Sequence, residues 1–208
     1  MHKLDRPASI PRGLAEAQAA RCIDWEAFWH GKADRKEEVQ AALLAMQDEK
    51  CAYCECKLGL HEGHIEHFRR KGKGWFPQLT FEWTNLYYSC RRNGTCGCHK
   101  DRVLVKSQLA QLVDPCADNP EDYLQFALDG HVCIREGISE MQSLRARLTI
   151  DAFNLNHEQL VQMRSNMIKG FKWLEGKSAA EIDACLDGLP PSTPFLTTLS
   201  HYFGRRYK

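Results

Sequence analysis

Six of the ten cysteines in this 208-residue chain fall in one stretch: Cys51, Cys54, Cys56, Cys90, Cys96 and Cys98. Cys51-Ala-Tyr-Cys54 has the spacing at which two thiolates bind one side of a tetrahedral zinc. Redox pairs share that spacing, but they come with a βαβ pattern that is missing here. The second cysteine group supplies the rest of a four-thiolate site. Cys90 is its third ligand, and the fourth is either Cys96 or Cys98. Cys96 is preferred, because the following Gly97 eases a knuckle turn; Cys98, directly before His99, is the other choice. Cys56 stands too near Cys54 to share the usual knuckle. Cys22, Cys116, Cys133 and Cys185 are scattered and read as small core residues.

Between the cysteine groups lies His64-Ile-Glu66-His67-Phe68-Arg69-Arg70-Lys71, followed by Asn85 and, inside the second group, His99. A histidine can deprotonate water, a carboxylate can hold a hard cation, and an amide can fix the backbone that carries them. In an extended strand His64 and Glu66 point to one face. The surroundings are basic. From His61 to Lys106 nine Lys/Arg stand against four acids, a local charge of +5 in a chain whose net charge is only +1. Such a segment suits a phosphate backbone. Trp75, Phe76 and Trp83 read as packing residues, and His61 as a surface one.

These motifs together resemble the HNH nucleases and their ββα-metal fold. The resemblance rests on Cys51-Ala-Tyr-Cys54, Glu66-His67-Phe68, Asn85-Leu86, Cys90 and Cys98-His99-Lys100, over about 50 residues. More narrowly, the chain is similar to the HNH component of retron and Septu anti-phage systems. That likeness adds Lys3-Leu4-Asp5-Arg6, Asp114-Pro115 and the stretch from Pro120 to Gly130.

The resemblance implies phosphodiester hydrolysis. His67 is then the general base, Asn85 orients it or its loop, and Glu66 and His99 hold a catalytic Mg²⁺ or Mn²⁺. The family usually has Asp or His at the position of Glu66. His64 becomes a further metal ligand or a hydrogen-bonding neighbour of one. Arg69, Arg70, Lys71, Lys73 and Lys100 are placed to bind nucleic acid, either DNA or tRNA. The cysteine site is a structural Zn²⁺. The implied partners are an SMC-like ABC-type ATPase and, in a retron, a reverse transcriptase with its RNA–DNA product. The chain carries no Walker motif, so ATP dependence would come from another subunit. The competing reading is a non-catalytic zinc-ribbon module that binds nucleic acid or protein; it needs none of Glu66, His67, Asn85 and His99.

The expected fold class is α+β, a zinc-stapled ββα-metal core (49–106) embedded in a mainly α-helical shell. An N-terminal helical segment (1–48) precedes it, and a hairpin with a C-terminal helical extension (107–208) follows. Asp34 and Glu37 predict a capping box ahead of Val39, Leu43 and Met46. Asp129-Gly130 predicts a hairpin turn. Met141, Leu144 and Leu148 predict a buried helical stripe. Asn156 and Gln159 predict the start of a second helix, Ser178 with Glu181 that of a third, and Thr193-Pro194 that of a short last one. The tail from Arg205 to Lys208 reads as solvated. No apolar run approaches a membrane span, and no signal peptide is expected at the N-terminus, which places the chain in the reducing cytoplasm.

Overall fold

The computed structural model describes residues 1–207; Lys208, the end of the basic tail, lies outside them. Three helices come first: α1 (Arg12–Ala19), α2 (Trp25–Trp29) and α3 (Ala33–Met46). Two strands follow, β1 (Gly63–His67) and β2 (Leu86–Cys90), then helix α4 (Cys96–Val103). A short hairpin of β3 (Leu124–Phe126) and β4 (Val132–Ile134) leads to α5 (Glu140–Ala152), α6 (Glu158–Phe171), α7 (Ala179–Asp187) and α8 (Leu196–Tyr202). The chain is thus α+β, mostly helical, with two small sheets, and no described helix is long and apolar enough to cross a membrane.

β1 and β2 are antiparallel, with Glu66 opposite Tyr87 and His67 opposite Leu86. A two-stranded sheet is unstable by itself, and here every residue of β2 is buried. Its outer edge is closed by a side chain. Gln47, at the end of α3, accepts from the Tyr88 backbone N–H at 2.8 Å and donates to the Tyr88 carbonyl at 2.8 Å. The amide so imitates a neighbouring strand, satisfying groups that burial would otherwise penalise. On the other side Trp25, Phe28 and Trp29 gather around Phe81. Below, Tyr53 stacks on Phe153 with ring centroids 4.0 Å apart.

Two of the segments that extend the family likeness beyond the cysteine unit, Lys3–Arg6 and Asp114-Pro115, meet beside β2. Leu4 donates its backbone N–H to the Pro115 carbonyl at 2.8 Å. Arg6 donates to the carbonyls of Trp83 and Leu86 at 2.7 and 3.0 Å, and Tyr87 donates to Asp114.

Several helix boundaries depart from the sequence expectation. α3 begins at Ala33 with Lys32 at its N-cap and no side-chain cap. Asp34 already lies inside the first turn, where it meets the helix dipole rather than forming a box with Glu37. Asn156 does not cap α6. It clamps the β4 backbone instead, accepting from Val132 N–H at 2.7 Å and donating to Val132 O at 2.9 Å, while His157 accepts the Gln159 N–H. The α5 stripe is turned outward, with Met141 66% and Leu144 53% exposed. Its inward face is Ala146, Thr149 and Ala152, small enough for close approach, and Thr149 receives the Val113 N–H at 2.9 Å. α8 starts at Leu196, two residues past Pro194. The Asp129-Gly130 hairpin and the Ser178–Glu181 capping box form as expected.

Candidate metal centre and adjoining cleft

Cys51, Cys54, Cys90 and Cys96 are all buried, and their sulfurs lie within 4.8 Å of one another. A bracket of backbone hydrogen bonds shapes the first knuckle. Cys51 N–H reaches Cys56 O at 2.9 Å, Glu55 N–H reaches Cys51 O at 3.1 Å, and Lys50 bridges Lys57. Glu55 there has φ 65°, and Cys96 enters α4 with φ 53°. The Cys90 N–H points at Cys51 Sγ from 3.4 Å. Zn–S bonds of about 2.3 Å put tetrahedral sulfurs about 3.8 Å apart. The Cys51–Cys96 and Cys54–Cys90 separations are 3.8 and 3.9 Å. The donor set and its dimensions therefore suit a closed, four-thiolate structural zinc.

Of the two candidates for the fourth position, it is Cys96 that the fold groups with the other three cysteines. Cys98 lies outside the cluster and is half-buried. Cys56, set aside by spacing, sits 3.3 Å from Cys54 Sγ and is 3% exposed. It backs the cluster with its carbonyl and its bulk. The third cysteine of the Cys-x-x-Cys-x-Cys run was its sequence signal.

Beside this centre, β1, the turn that follows it and Asp101 of α4 enclose a cleft of about 330 Å³ lined by His64, Ile65, Glu66, His67, Arg70, Lys71 and Asp101. His67 is 7% exposed, its ring edge-on to Trp25 at 4.6 Å. Its Nε2 lies 2.9 Å from the Thr80 carbonyl. A carbonyl only accepts, so Nε2 carries the proton and Nδ1 keeps the lone pair. Burial, with Lys71 adding to it, pushes the His67 pKa down to about 3, so the ring is neutral. Asn85 grips the turn that follows. Its Oδ1 accepts from Arg69 N–H at 2.8 Å, and its Nδ2 donates to the carbonyls of Arg69 and Leu79 at 3.0 and 3.1 Å.

Glu66 is 3% exposed. Tyr53 donates to one of its oxygens, and the Lys100 ammonium stands 2.8 Å from the other. Lys100, expected to meet phosphates, is wholly buried and cannot do so here. Burial opposes its charge, but Glu66 and Asp101 outweigh that and raise its pKa. His99 is not brought to Glu66. At about 100° per residue, Gly97, Lys100 and Asp101 share the α4 face toward β1, and His99 lies on the other side. Its Nδ1 donates to the Ala152 carbonyl at 2.9 Å. The expected Glu66–His99 ligand pair therefore does not form. A divalent ion on Glu66 would also face Lys100. Two unit charges 4 Å apart repel by about 4 kcal/mol at an effective dielectric of 20, and a divalent ion doubles that. As folded, this cleft does not fit the implied catalytic ion.

Glu66 reaches its place only because residue 97 has no side chain. A Cβ on Gly97 would lie 2.3 Å from Glu66 Cγ. Gly97→Ala should lower stability by about 1–3 kcal/mol through overpacking, read as an earlier denaturation midpoint, and displace Glu66 from Lys100.

The remaining basic residues differ in access. Arg69 and Lys73 are exposed. Arg70 lies over Trp75 and donates to the Asp101 carbonyl at 3.0 Å, while Lys71 lies over Trp25 and 3.7 Å from Glu26. His64 is half-buried on the cleft wall, and His61 is at the surface near Glu37.

No protein-family model matches the sequence. Individual relatives do. The chain is 31% identical over 144 residues to the Septu protein PtuB of Bacillus thuringiensis, across 67% of this chain and 49% of that protein. It is 29% identical over 140 residues to a candidate HNH endonuclease of retron Vc95 from Vibrio cholerae serotype O1 biovar El Tor, across 64% of this chain and 65% of that protein. A PtuB of Bacillus mycoides is 27% identical over 188 residues, across 76% of this chain and 60% of that protein. The chain thus spans about half the length of the first relative and less than two thirds of the other two. Its cysteine cluster, its paired strands with α4 behind them, and these likenesses agree: the chain resembles an HNH nuclease of the PtuB kind.

Proposed function

We propose that the chain hydrolyses phosphodiester bonds as the nuclease effector of an anti-phage defence complex. One observation carries this reading: a His67 whose Nε2 is tied to Thr80 O, so that Nδ1 keeps the lone pair, with its ring lining a basic cleft. In that state Nδ1 is free to take a proton from water without first losing one to bulk. Asn85 holds the Phe68–Arg70 turn and with it the backbone carrying His67. The four-cysteine site, holding a structural Zn²⁺, supports the same strands from below, in a unit poor in aliphatic core. Catalysis assisted by Mg²⁺ or Mn²⁺ is what the resemblance implies, with His64 and Glu66 nearest to hand; the Lys100 contact stands against it in this conformation.

Arg69 and Lys73 are the cations free to meet phosphates flanking the cut, and this contact is independent of sequence. Replacing both by glutamine should shrink the slope of log K against log salt by about 2 for duplex DNA, at about 0.9 per phosphate contact. Fluorescence anisotropy of a labelled duplex at several salt concentrations measures it.

The substrate is proposed to be DNA or tRNA. The proposed partner is an SMC-like ATPase of the PtuA type, joined in a retron by the reverse transcriptase and its RNA–DNA product. Their setting is the cytoplasm. The Lys100–Glu66 contact and the position of His99 favour one other reading, a zinc module that binds nucleic acid without cutting it. Incubating the chain, alone and with a PtuA-type ATPase, with DNA and with tRNA separates the two.

A further inference from the structure

Of the three aromatics read as packing residues, only Trp83 is fully one: it is 4% exposed and donates its indole N–H to the Pro7 carbonyl at 3.0 Å. Trp75 and Phe76 stay half-buried. They close the loop Arg70-Lys71-Gly72-Lys73-Gly74-Trp75-Phe76, whose ends are tied by the Phe76 N–H to the Arg70 carbonyl at 3.1 Å. Within it the Trp75 N–H reaches Gly72 O at 3.0 Å. Gly72 and Gly74 have φ 109° and 87°, and nothing stands where a Cβ would be added. Glycine gives this turn its left-handed backbone, and Lys73 between the two is exposed. Each aromatic also carries a cation. The Arg70 guanidinium lies over Trp75 at 4.9 Å from its centroid, and the Lys106 ammonium over Phe76 at 5.0 Å. Arg70 is held by the Asp101 carbonyl and lines the cleft together with His67. One side chain therefore joins the cleft to the aromatic loop.

Phosphate contacts need cations but no rings. Rings and guanidinium planes beside cations are what bind unpaired nucleotides, whose base faces are free, whereas a duplex hides those faces in its own stack. We propose that the 70–76 loop is a stacking platform for an unpaired nucleobase, so that the chain prefers single-stranded nucleic acid to a continuous duplex. The base lies on the Arg70–Trp75 pair, and the adjoining phosphates meet Lys73 and Lys106, both exposed. As a statement of substrate class this rests on the nuclease reading, but the stacking is measured without any cleavage.

The test uses the zinc-loaded full chain at physiological salt without Mg²⁺ or Mn²⁺. Fluorescence anisotropy reads its binding to labelled oligothymidylate, oligouridylate, a strand with abasic sites in place of bases, and a duplex of equal length. Wild type should bind at least one of the two single strands more tightly than the duplex, and whichever is tighter names the sugar. Trp75→Leu should weaken that single strand by about 5- to 150-fold, the loss of one base–aromatic stack, and leave the duplex as it was. Its salt slope should not change, because stacking releases no counterions, whereas Lys73→Gln should lower the slope by about 0.7. Duplex binding as tight as either single strand in wild type overturns the proposal. So does a folded Trp75→Leu that weakens duplex and single strand alike, or neither. If Trp75→Leu fails to fold, the abasic strand decides on wild type alone: binding as tight as oligothymidylate overturns the proposal, and weaker binding supports it. Absence of cleavage changes none of these readouts and counts only against the nuclease reading.

Discussion

Cys96→Ser should release the zinc and unfold the central unit, whereas Cys98→Ser should leave metal content and fold intact. The two cysteines are two residues apart, and the difference follows from where α4 turns them. Cys96 is fully buried with its sulfur 3.8 Å from Cys51, and Cys98 is half-buried outside the cluster. A structural zinc site contributes on the order of 10–16 kcal/mol to folding, while whole domains are stable by about 5–15 kcal/mol. The elements around the site are short, two five-residue strands and the eight-residue α4, so the zinc is a large share of what holds them. Zinc content of freshly purified protein and far-ultraviolet circular dichroism measure the effect. One zinc per chain is expected for wild type and Cys98→Ser, and none for Cys96→Ser.

His67→Ala should lower cleavage by about 10²–10⁴-fold, the usual contribution of a general base, and leave zinc and fold in place. The ring packs on Trp25 and its loss costs stability, but the turn it belongs to is held independently by Asn85. The same variant has a signature in pH. The native His67 pKa is about 3, against about 6.5 in an unfolded chain. Between those values the unfolded state binds the extra proton, so stability rises with pH. The contribution is fully present above about 6.5 and is lost as pH falls toward 3. Wild type should therefore lose stability more steeply on acidification than His67→Ala, in denaturant titrations run from neutral pH downward.

The cysteine centre was legible because its ligands are defined by residue type and spacing, and only the choice between Cys96 and Cys98 needed coordinates. The resemblance also singled out His67 and Asn85, and the fold places His67 on the cleft wall and Asn85 on the turn that follows β1. What failed depended on direction around a helix. Cys98-His99-Lys100 reads as one motif, but consecutive helical residues point about 100° apart. The helix therefore sends His99 to α5 and Lys100 into the β1 carbonyls. Lys100 reads as a surface cation because lysines usually are; its burial is set by Glu66 and Asp101, only one of which is its neighbour in sequence. The α5 stripe failed likewise. Met141 and Leu144 have the right period, yet the chain packs Ala146, Thr149 and Ala152 inward because small side chains admit the close neighbour.

The central claim is that this cleft breaks phosphodiester bonds through His67. The most direct measurement is cleavage of labelled DNA and tRNA, with Mg²⁺ or Mn²⁺ present, by wild type and His67→Ala side by side, each alone and with the proposed PtuA-type ATPase. The account predicts discrete products with wild type in at least one arm, and their loss with His67→Ala at unchanged zinc content. Products formed by the variant at the wild-type rate, or none with wild type in any arm, would contradict it.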